Sequence, residues 1–238
     1  MTTLSSYLSI ANNFTKYQAM TSQSAAVATQ TKYFQANIGK ITSPAALVAN
    51  PRLFNYAMTA FGLGDRTYAK ALMTQVMQQG TSSSTALAVK LNDPNILAFA
   101  KAFNFSATGS TTTSSSKLVN QVVSAYTETA LEKDQASQNP GVELALYFQR
   151  KAPSITSAYG LLADSKLLKV AQTALNISPM TAYEPIDQQA ALLARQIKFA
   201  DFQNPTKLQN FIARFSALYD SKNGTTSAGN AASVLFGA

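Results

Sequence analysis

The chain has 238 residues, a net charge of +8, and no Cys, His or Trp. Without Cys and His it lacks disulfides, ordinary zinc sites and the Ser-His or Cys-His pairs of nucleophilic catalysis. Charged residues make up only 13% of the chain, against about 25% in typical domains, and the basic ones are dispersed singly, which argues against a nucleic-acid interface.

The sequence predicts helix from its first residues onward. Residues 3–36 contain no Pro or Gly, and apolar residues recur there at spacings of three and four, as on one face of a helix. The N-terminus lacks the basic leader and apolar stretch of a secretory signal peptide. No apolar run approaches the roughly 20 residues of a membrane-spanning helix, so we predict neither a signal peptide nor a membrane span.

The starts of four later helices are predicted from the residues that precede them. Asn50, Asp93, Asp164 and Asn204 each precede an apolar-periodic run, and three of the four are followed by Pro. An Asx side chain accepts a hydrogen bond from a free N–H of the first helical turn, and Pro suits the next position because its missing N–H would have no partner there. No alternating apolar run indicates a strand, so we predict an all-α fold.

A glycine pair follows the helix that begins after Asn50. Gly62-Leu63-Gly64-Asp65 begins like a nucleotide-binding loop, but such a loop needs a preceding strand and further glycines. The pattern is more typical of a helix C-terminus at which Gly takes a left-handed conformation. We therefore predict no phosphate site here.

Two apolar sets are candidates for contact with a protein partner. The first is a stripe at helical spacing, for which core packing is the default interpretation and a deformable, Met-rich partner surface is the alternative: Leu72, Met73, Val76 and Met77. The second closes a Gly/Ser/Thr-rich tail at 221–238, where a frayed end is the alternative: Val234, Leu235 and Phe236.

The acidic residues predict no catalytic or metal site. Glu128 and Glu132 lie one helical turn apart beside Lys133, and we expect a solvated helix face rather than a catalytic carboxylate pair. The other acids are scattered and form no calcium-loop pattern. We predict no cofactor, no metal and no enzymatic activity.

One stretch of the sequence is written twice. Residues 33–63 align with 147–177 without a gap, with 12 identities in 31 positions, including the phrase Tyr-Phe-Gln at the start of both. This self-similarity predicts a multihelical bundle of two tandem homologous repeats with pseudo-twofold symmetry. We place the repeats at 1–105 and 117–220, with a Ser/Thr-rich linker at 106–116.

Four long phrases resemble one known family. They are NPRLFNYAMTAFGLGD (50–65), NDPNILAFAKAFNF (92–105), GVELALYFQRKAPSITSAYGLLAD (141–164) and NPTKLQNFIARFSALYD (204–220). Together they are similar to an alphaproteobacterial domain-of-unknown-function family over about residues 4–220. The resemblance implies an all-helical fold and, because members are often encoded among flagellar genes, an association with the flagellum; it carries over no catalytic residues.

The sequence and the resemblance together give a functional expectation. We expect a non-enzymatic structural or accessory protein of the bacterial flagellum that acts through protein–protein contacts. The alternative is a cytoplasmic chaperone or regulatory binding module for flagellar subunits. The protein is expected in the cytoplasm, or outside it if a flagellar-type apparatus exports it.

Overall fold

The structure, a computed structural model, describes residues 1–223, and this part of the chain contains no β-strand. The all-α prediction is confirmed. In chain order the helices are α1 (Thr3–Asn12), α2 (Phe14–Gln23), α3 (Ala25–Asn37), α4 (Pro44–Ala49), α5 (Pro51–Ala60), α6 (Lys70–Gln79), α7 (Leu87–Lys90), α8 (Pro94–Ala102), α9 (Phe105–Thr108), α10 (Ser116–Gln138), α11 (Pro140–Lys151), α12 (Ala158–Leu162), α13 (Ser165–Ala174), α14 (Ile186–Gln196) and α15 (Pro205–Asn223). Short 3₁₀ turns connect several of them.

The four predicted helix starts are confirmed. The side chain of Asn50 accepts from the N–H of Leu53, at 3.1 Å. In the same way Asp93 caps α8, Asp164 caps α13 and Asn204 caps α15. These bonds satisfy donors that the first turn of a helix cannot pair internally.

The chain divides into two compact units. The central unit comprises Thr15–Leu131, and the terminal unit comprises Met1–Phe14 together with the chain from Glu132 onward. This division differs from the predicted repeats at 1–105 and 117–220. Helix α1 belongs to the terminal unit, and α10 belongs to the central unit as far as Leu131. The predicted tail, 221–238, begins inside α15, and its remainder lies outside the described residues.

Aromatic side chains fill the core of the central unit. Phe34 stacks on Tyr56 with ring centroids 4.4 Å apart, and Tyr56 stacks on Tyr126 at 3.8 Å. Because Tyr126, Leu118 and Val122 all lie on α10, the N-terminal part of this helix closes the same core.

Residues 106–116, predicted as a Ser/Thr-rich linker, are mostly helical. They form the end of α9 and a 3₁₀ segment, Gly109–Ser114. Its hydroxyls donate to nearby carbonyl oxygens, such as Thr112 to Gly109 at 2.7 Å, which satisfies a Ser/Thr-rich backbone locally. The buried Thr113 also donates to the carbonyl oxygen of Ile41, which lies 72 positions away.

In the terminal unit, α1 packs against α11 and α15. Its first residue, Thr3, donates from the backbone N–H to Asp220 at 2.8 Å and from the hydroxyl to the other carboxylate oxygen at 2.5 Å. Both residues are buried. A carboxylate is favourable at a helix N-terminus, where N–H groups point outward. Gly141 permits this approach, since a Cβ there would lie 2.7 Å from both Thr3 and Tyr219.

Corresponding sequences in the two units have corresponding secondary structure. Shifted by 114 residues, α5 coincides with α13, and the 3₁₀ turn Ile38–Lys40 coincides with Ala152–Ser154. The backbone is left-handed at Gly62 (φ 79°) and again 114 residues later at Asn176 (φ 53°). The predicted left-handed helix C-terminus at Gly62 is thereby confirmed.

We predict that Asp220→Ala destabilises the protein. The change leaves the buried backbone N–H of Thr3 without its acceptor, which costs about 1–3 kcal/mol for an unsatisfied group, whereas the Thr3 hydroxyl keeps its contact with Asn139 at 3.2 Å. Chemical denaturation monitored by circular dichroism measures the free energy of unfolding. The exposed Asp134 provides the control, and its change to Ala is expected to have an effect within about 0.5 kcal/mol. Equal effects of the two changes would contradict the assignment.

Candidate functional site

The stripe on α6 is part of the core of the central unit. Met73, Val76 and Met77 are each at most 1% exposed and belong to the same hydrophobic cluster as Phe34 and Phe54. The core interpretation is confirmed for these three, and the alternative of a partner contact is wrong, because their helical spacing turns them inward. Leu72 is half-buried. The other candidate contacts, Val234, Leu235 and Phe236, lie outside the described residues.

Glu132 is a buried, ion-paired residue rather than part of a solvated face. Its carboxylate receives two hydrogen bonds from the Arg150 guanidinium, at 2.6 and 2.7 Å, and Glu132 is 4% exposed. Burial raises the pKa of Glu132, and the guanidinium of Arg150 opposes that shift. The expectation of a solvated face is therefore wrong for this residue. Glu128 accepts from Ser124 and Gln18 in the central unit.

The buried Asp164 has a structural role. It accepts from the N–H groups of Lys166 and Leu167 and from the hydroxyl of Tyr147, the last at 2.5 Å. In the central unit the side chain of Asn50 donates to the hydroxyl of Tyr33 at 3.3 Å. In the terminal unit the bond joins the start of α13 to α11, and in the central unit it joins the start of α5 to α3.

Within residues 1–223 no group of three or more carboxylates is placed to hold a metal ion. In the same part of the chain no helix has the length and apolar character needed to cross a bilayer.

We predict that the Glu132–Arg150 pair contributes strongly to stability. Glu132→Ala removes the buried carboxylate that accepts two hydrogen bonds from the half-buried Arg150 guanidinium, and breaking a buried ion pair by removing one partner typically costs about 3–5 kcal/mol. The matched control is the exposed pair Asp201–Lys207, at 2.7 Å, where Asp201→Ala is expected to cost less than about 1 kcal/mol. Denaturation midpoints compare the two, and a smaller loss for Glu132→Ala than for Asp201→Ala would refute the prediction.

A cluster of large apolar side chains lies exposed in the terminal unit. Met180, Tyr183 and Ile186 are 68%, 85% and 55% exposed, and the acidic residues Glu184 and Asp187 among them are exposed as well. We call these five residues the acidic apolar patch. Sequence reasoning missed the patch, although two nearby prolines, Pro179 and Pro185, mark a segment between helices.

The backbone beneath the acidic apolar patch is held in place by hydrogen bonds. The 3₁₀ turn Pro179–Tyr183 begins with the hydroxyl of Ser178 accepting from the N–H of Met180. Gln189 of α14 donates to the carbonyl oxygen of Glu184 at 2.7 Å. In a 3₁₀ turn residues three apart are aligned, so Met180 and Tyr183 lie on the same side of the turn.

One acid of the patch is also linked to a neighbouring tyrosine. The hydroxyl of Tyr159 on α12 donates to Asp187 at 2.7 Å, and this carboxylate raises the pKa of Tyr159. Tyr159 is itself 43% exposed, so it extends the apolar surface beside the patch.

A pocket with an aromatic floor and a basic rim lies at the other end of α14. It has a volume of about 260 Å³ and is lined by Gln196, Ile197, Lys198, Asp201, Phe202, Lys207, Asn210, Phe211 and Arg214. The rings of Phe202 and Phe211 meet edge to face at 5.3 Å, and Phe211 stacks on the buried Phe148 at 5.3 Å. We call this the basic pocket.

The charges of the basic pocket are mostly positive. Its lining holds three basic side chains and one acid, and Asp201 is already paired with Lys207. Lys198 and Arg214 are exposed at the rim. A small apolar floor surrounded by cations suits an apolar group that carries negative charges beside it.

Comparisons with known proteins identify a family without giving an activity. Residues 60–208 match the model of a family described as protein of unknown function, DUF1217. The chain is also similar to a protein of Agrobacterium tumefaciens known from an X-ray crystal structure, with 36% identity, a TM-score of 0.86, and coverage of 93% of this chain and 94% of that one. No curated protein matches the chain.

Proposed function

The chain belongs to the DUF1217 family of proteins of unknown function, so we propose a function from the features of its surface. We propose that it is a non-enzymatic structural or accessory protein that acts through protein–protein contacts. The acidic apolar patch carries this proposal. Soluble monomers rarely expose several large apolar side chains together unless a partner covers them. Here the backbone that carries the exposed side chains is fixed by hydrogen bonds to Ser178 and Gln189.

A fixed backbone favours binding over mere exposure. A partner that docks on an ordered segment loses less conformational entropy than one that must order a flexible loop. Tyr183 suits such a contact, since tyrosine offers a large apolar ring at a small cost in side-chain entropy. Met180 beside it adapts its shape to the surface that it meets.

We propose the bacterial flagellum as the site of action. The support is the resemblance to a family whose members are often encoded among flagellar genes, together with a chain low in charge and free of Cys, His and Trp. The alternative is a cytoplasmic chaperone or regulatory module for flagellar subunits. The basic pocket supports that alternative, because it could hold an acidic segment of a client. The protein would act in the cytoplasm, or beyond it after export by a flagellar-type apparatus.

We further propose that the two units descend from one duplicated unit. The support is a single offset of 114 residues that relates three kinds of feature. These are the sequence identities, the bounds of α5 and α13, and a hydrogen bond between a tyrosine and a helix-capping residue, Asn50 with Tyr33 in one unit and Asp164 with Tyr147 in the other. A cation also lies over each tyrosine ring, Arg52 in one unit and Lys166, 114 residues later, in the other.

The duplication predicts that Asn176 accepts the residue of its counterpart, Gly62. Both have positive φ, where Gly is unstrained and a β-branched residue is not. We expect Asn176→Gly to change the free energy of unfolding by less than about 1 kcal/mol. Asn176→Val should destabilise by more than that, and denaturation by urea compares the two. A larger loss with Gly than with Val would contradict the prediction.

The functional proposal is tested by complementing a deletion strain. We expect deletion to impair swimming and the wild-type gene to restore it. The double variant Tyr183→Ser/Ile186→Ser should fold with an unchanged melting temperature but fail to restore swimming, because it removes the apolar contact. Tyr68→Ser is the control, since Tyr68 is 81% exposed in the central unit. Normal swimming of the deletion strain, with normal filaments, would refute the flagellar role.

A further inference from the structure

We propose that the basic pocket receives the acidic apolar patch of a second copy of this chain. This inference rests on the proposed function, since it names the partner in a protein–protein contact. The two surfaces are complementary in chemistry. The patch offers apolar side chains and two carboxylates, and the pocket offers an aromatic floor and a rim with three cations and one acid.

The charges favour this pairing over random contact. The chain as a whole has a net charge of +8, so two copies repel each other when they approach in most orientations. The patch, with Glu184 and Asp187, is locally negative. Its approach to the rim formed by Lys198 and Arg214 replaces that repulsion by attraction. Electrostatic complementarity of this kind fixes the orientation in which two molecules meet.

The apolar parts also fit each other in size. The pocket volume is about 260 Å³, enough for one large side chain and its neighbour but not for a folded domain. Tyr183, at 85% exposed, presents such a side chain. Its ring would lie against Phe202 and Phe211, because aromatic pairs in offset or edge-to-face contact are favourable.

The patch cannot reach the pocket of its own molecule. Ile186 begins α14, and Gln196 at its last turn lines the pocket. At 1.5 Å per residue the helix holds them about 15 Å apart. The occupant must therefore come from another molecule. Each copy carries one patch and one pocket. When the patch of one copy fills the pocket of another, one pocket and one patch stay empty. These two surfaces either bind each other, giving a reciprocal pair, or bind further copies head to tail.

Sedimentation of the full-length chain over a range of concentrations tests the inference first. We expect the average mass to rise with concentration. Raising the salt from about 0.05 to 0.5 M should weaken this association, because salt screens contacts between exposed charges. A wild-type chain that remains monomeric at all concentrations would overturn the inference.

A charge exchange then tests the two surfaces together. One variant reverses the patch, Glu184→Lys/Asp187→Lys, and the other reverses the rim, Lys198→Glu/Arg214→Glu. Each alone should associate at least about tenfold more weakly than wild type, because its patch and pocket now carry like charges. A mixture of the two should associate again, since opposite charges then meet. Lys90→Glu/Asp134→Lys, with both residues exposed outside these surfaces, is the control and should behave as wild type.

The outcomes separate this inference from the proposed function. If both reversed variants fold and associate like wild type, or if their mixture fails to associate, the second-copy inference is wrong. If the wild-type chain is monomeric while the Tyr183→Ser/Ile186→Ser variant still fails to restore swimming, another protein occupies the patch and the proposed function stands. If self-association is found but the deletion strain swims normally, the flagellar role falls and the inference stands.

Discussion

A hydrogen bond from a tyrosine to the residue that caps a helix orders the terminal unit. Asp164 accepts two N–H groups of α13 and, at the same time, the hydroxyl of Tyr147 on α11. This fixes the start of one helix against the middle of another. The next residue, Phe148, stacks on Phe211 and so supports the floor of the basic pocket. Adjacent residues of α11 thus make the bond to Asp164 and the ring contact beneath the pocket.

The few acidic residues occupy two kinds of environment. Glu132, Asp164 and Asp220 are buried and bind fixed donors, so they hold helices together. Glu184 and Asp187 instead stand exposed beside apolar side chains. In a chain with only 11 acidic residues, two placed together on an apolar surface define a local negative field. A patch that combines such a field with a fixed backbone is suited to recognition of a partner.

Local features were predictable from the sequence, and long-range ones were not. The caps at Asn50 and Asp164 depend on residues two or three positions away, so their pattern is visible in the sequence. The ion pair of Glu132 with Arg150 joins residues 18 positions apart, and helical periodicity gives no sign of it. The fold of 106–116 depends in part on Thr113 reaching Ile41, whereas its composition alone is typical of a linker. Likewise, no pattern near the N-terminus indicates that α1 joins the unit made by the end of the chain.

The candidate surfaces were least predictable, because an apolar side chain is exposed only where no other part of the folded chain covers it. Apolar spacing indicates which side chains face a core, and it identified the stripe on α6, in which Met73, Val76 and Met77 are buried. The same reasoning cannot recognise Met180 and Tyr183, since a short segment between prolines has no period to follow. The basic pocket likewise combines residues from the end of α14 and from α15 that meet only in the folded chain.

The most direct test of the account replaces Tyr183 with a photoactivatable cross-linking residue in the otherwise wild-type chain. The account predicts cross-linked products at whole multiples of the chain mass, beginning at twice that mass, with every attachment site between residues 196 and 214 of the neighbouring copy. Absence of any cross-linked product, or attachment sites scattered over the surface, would contradict it.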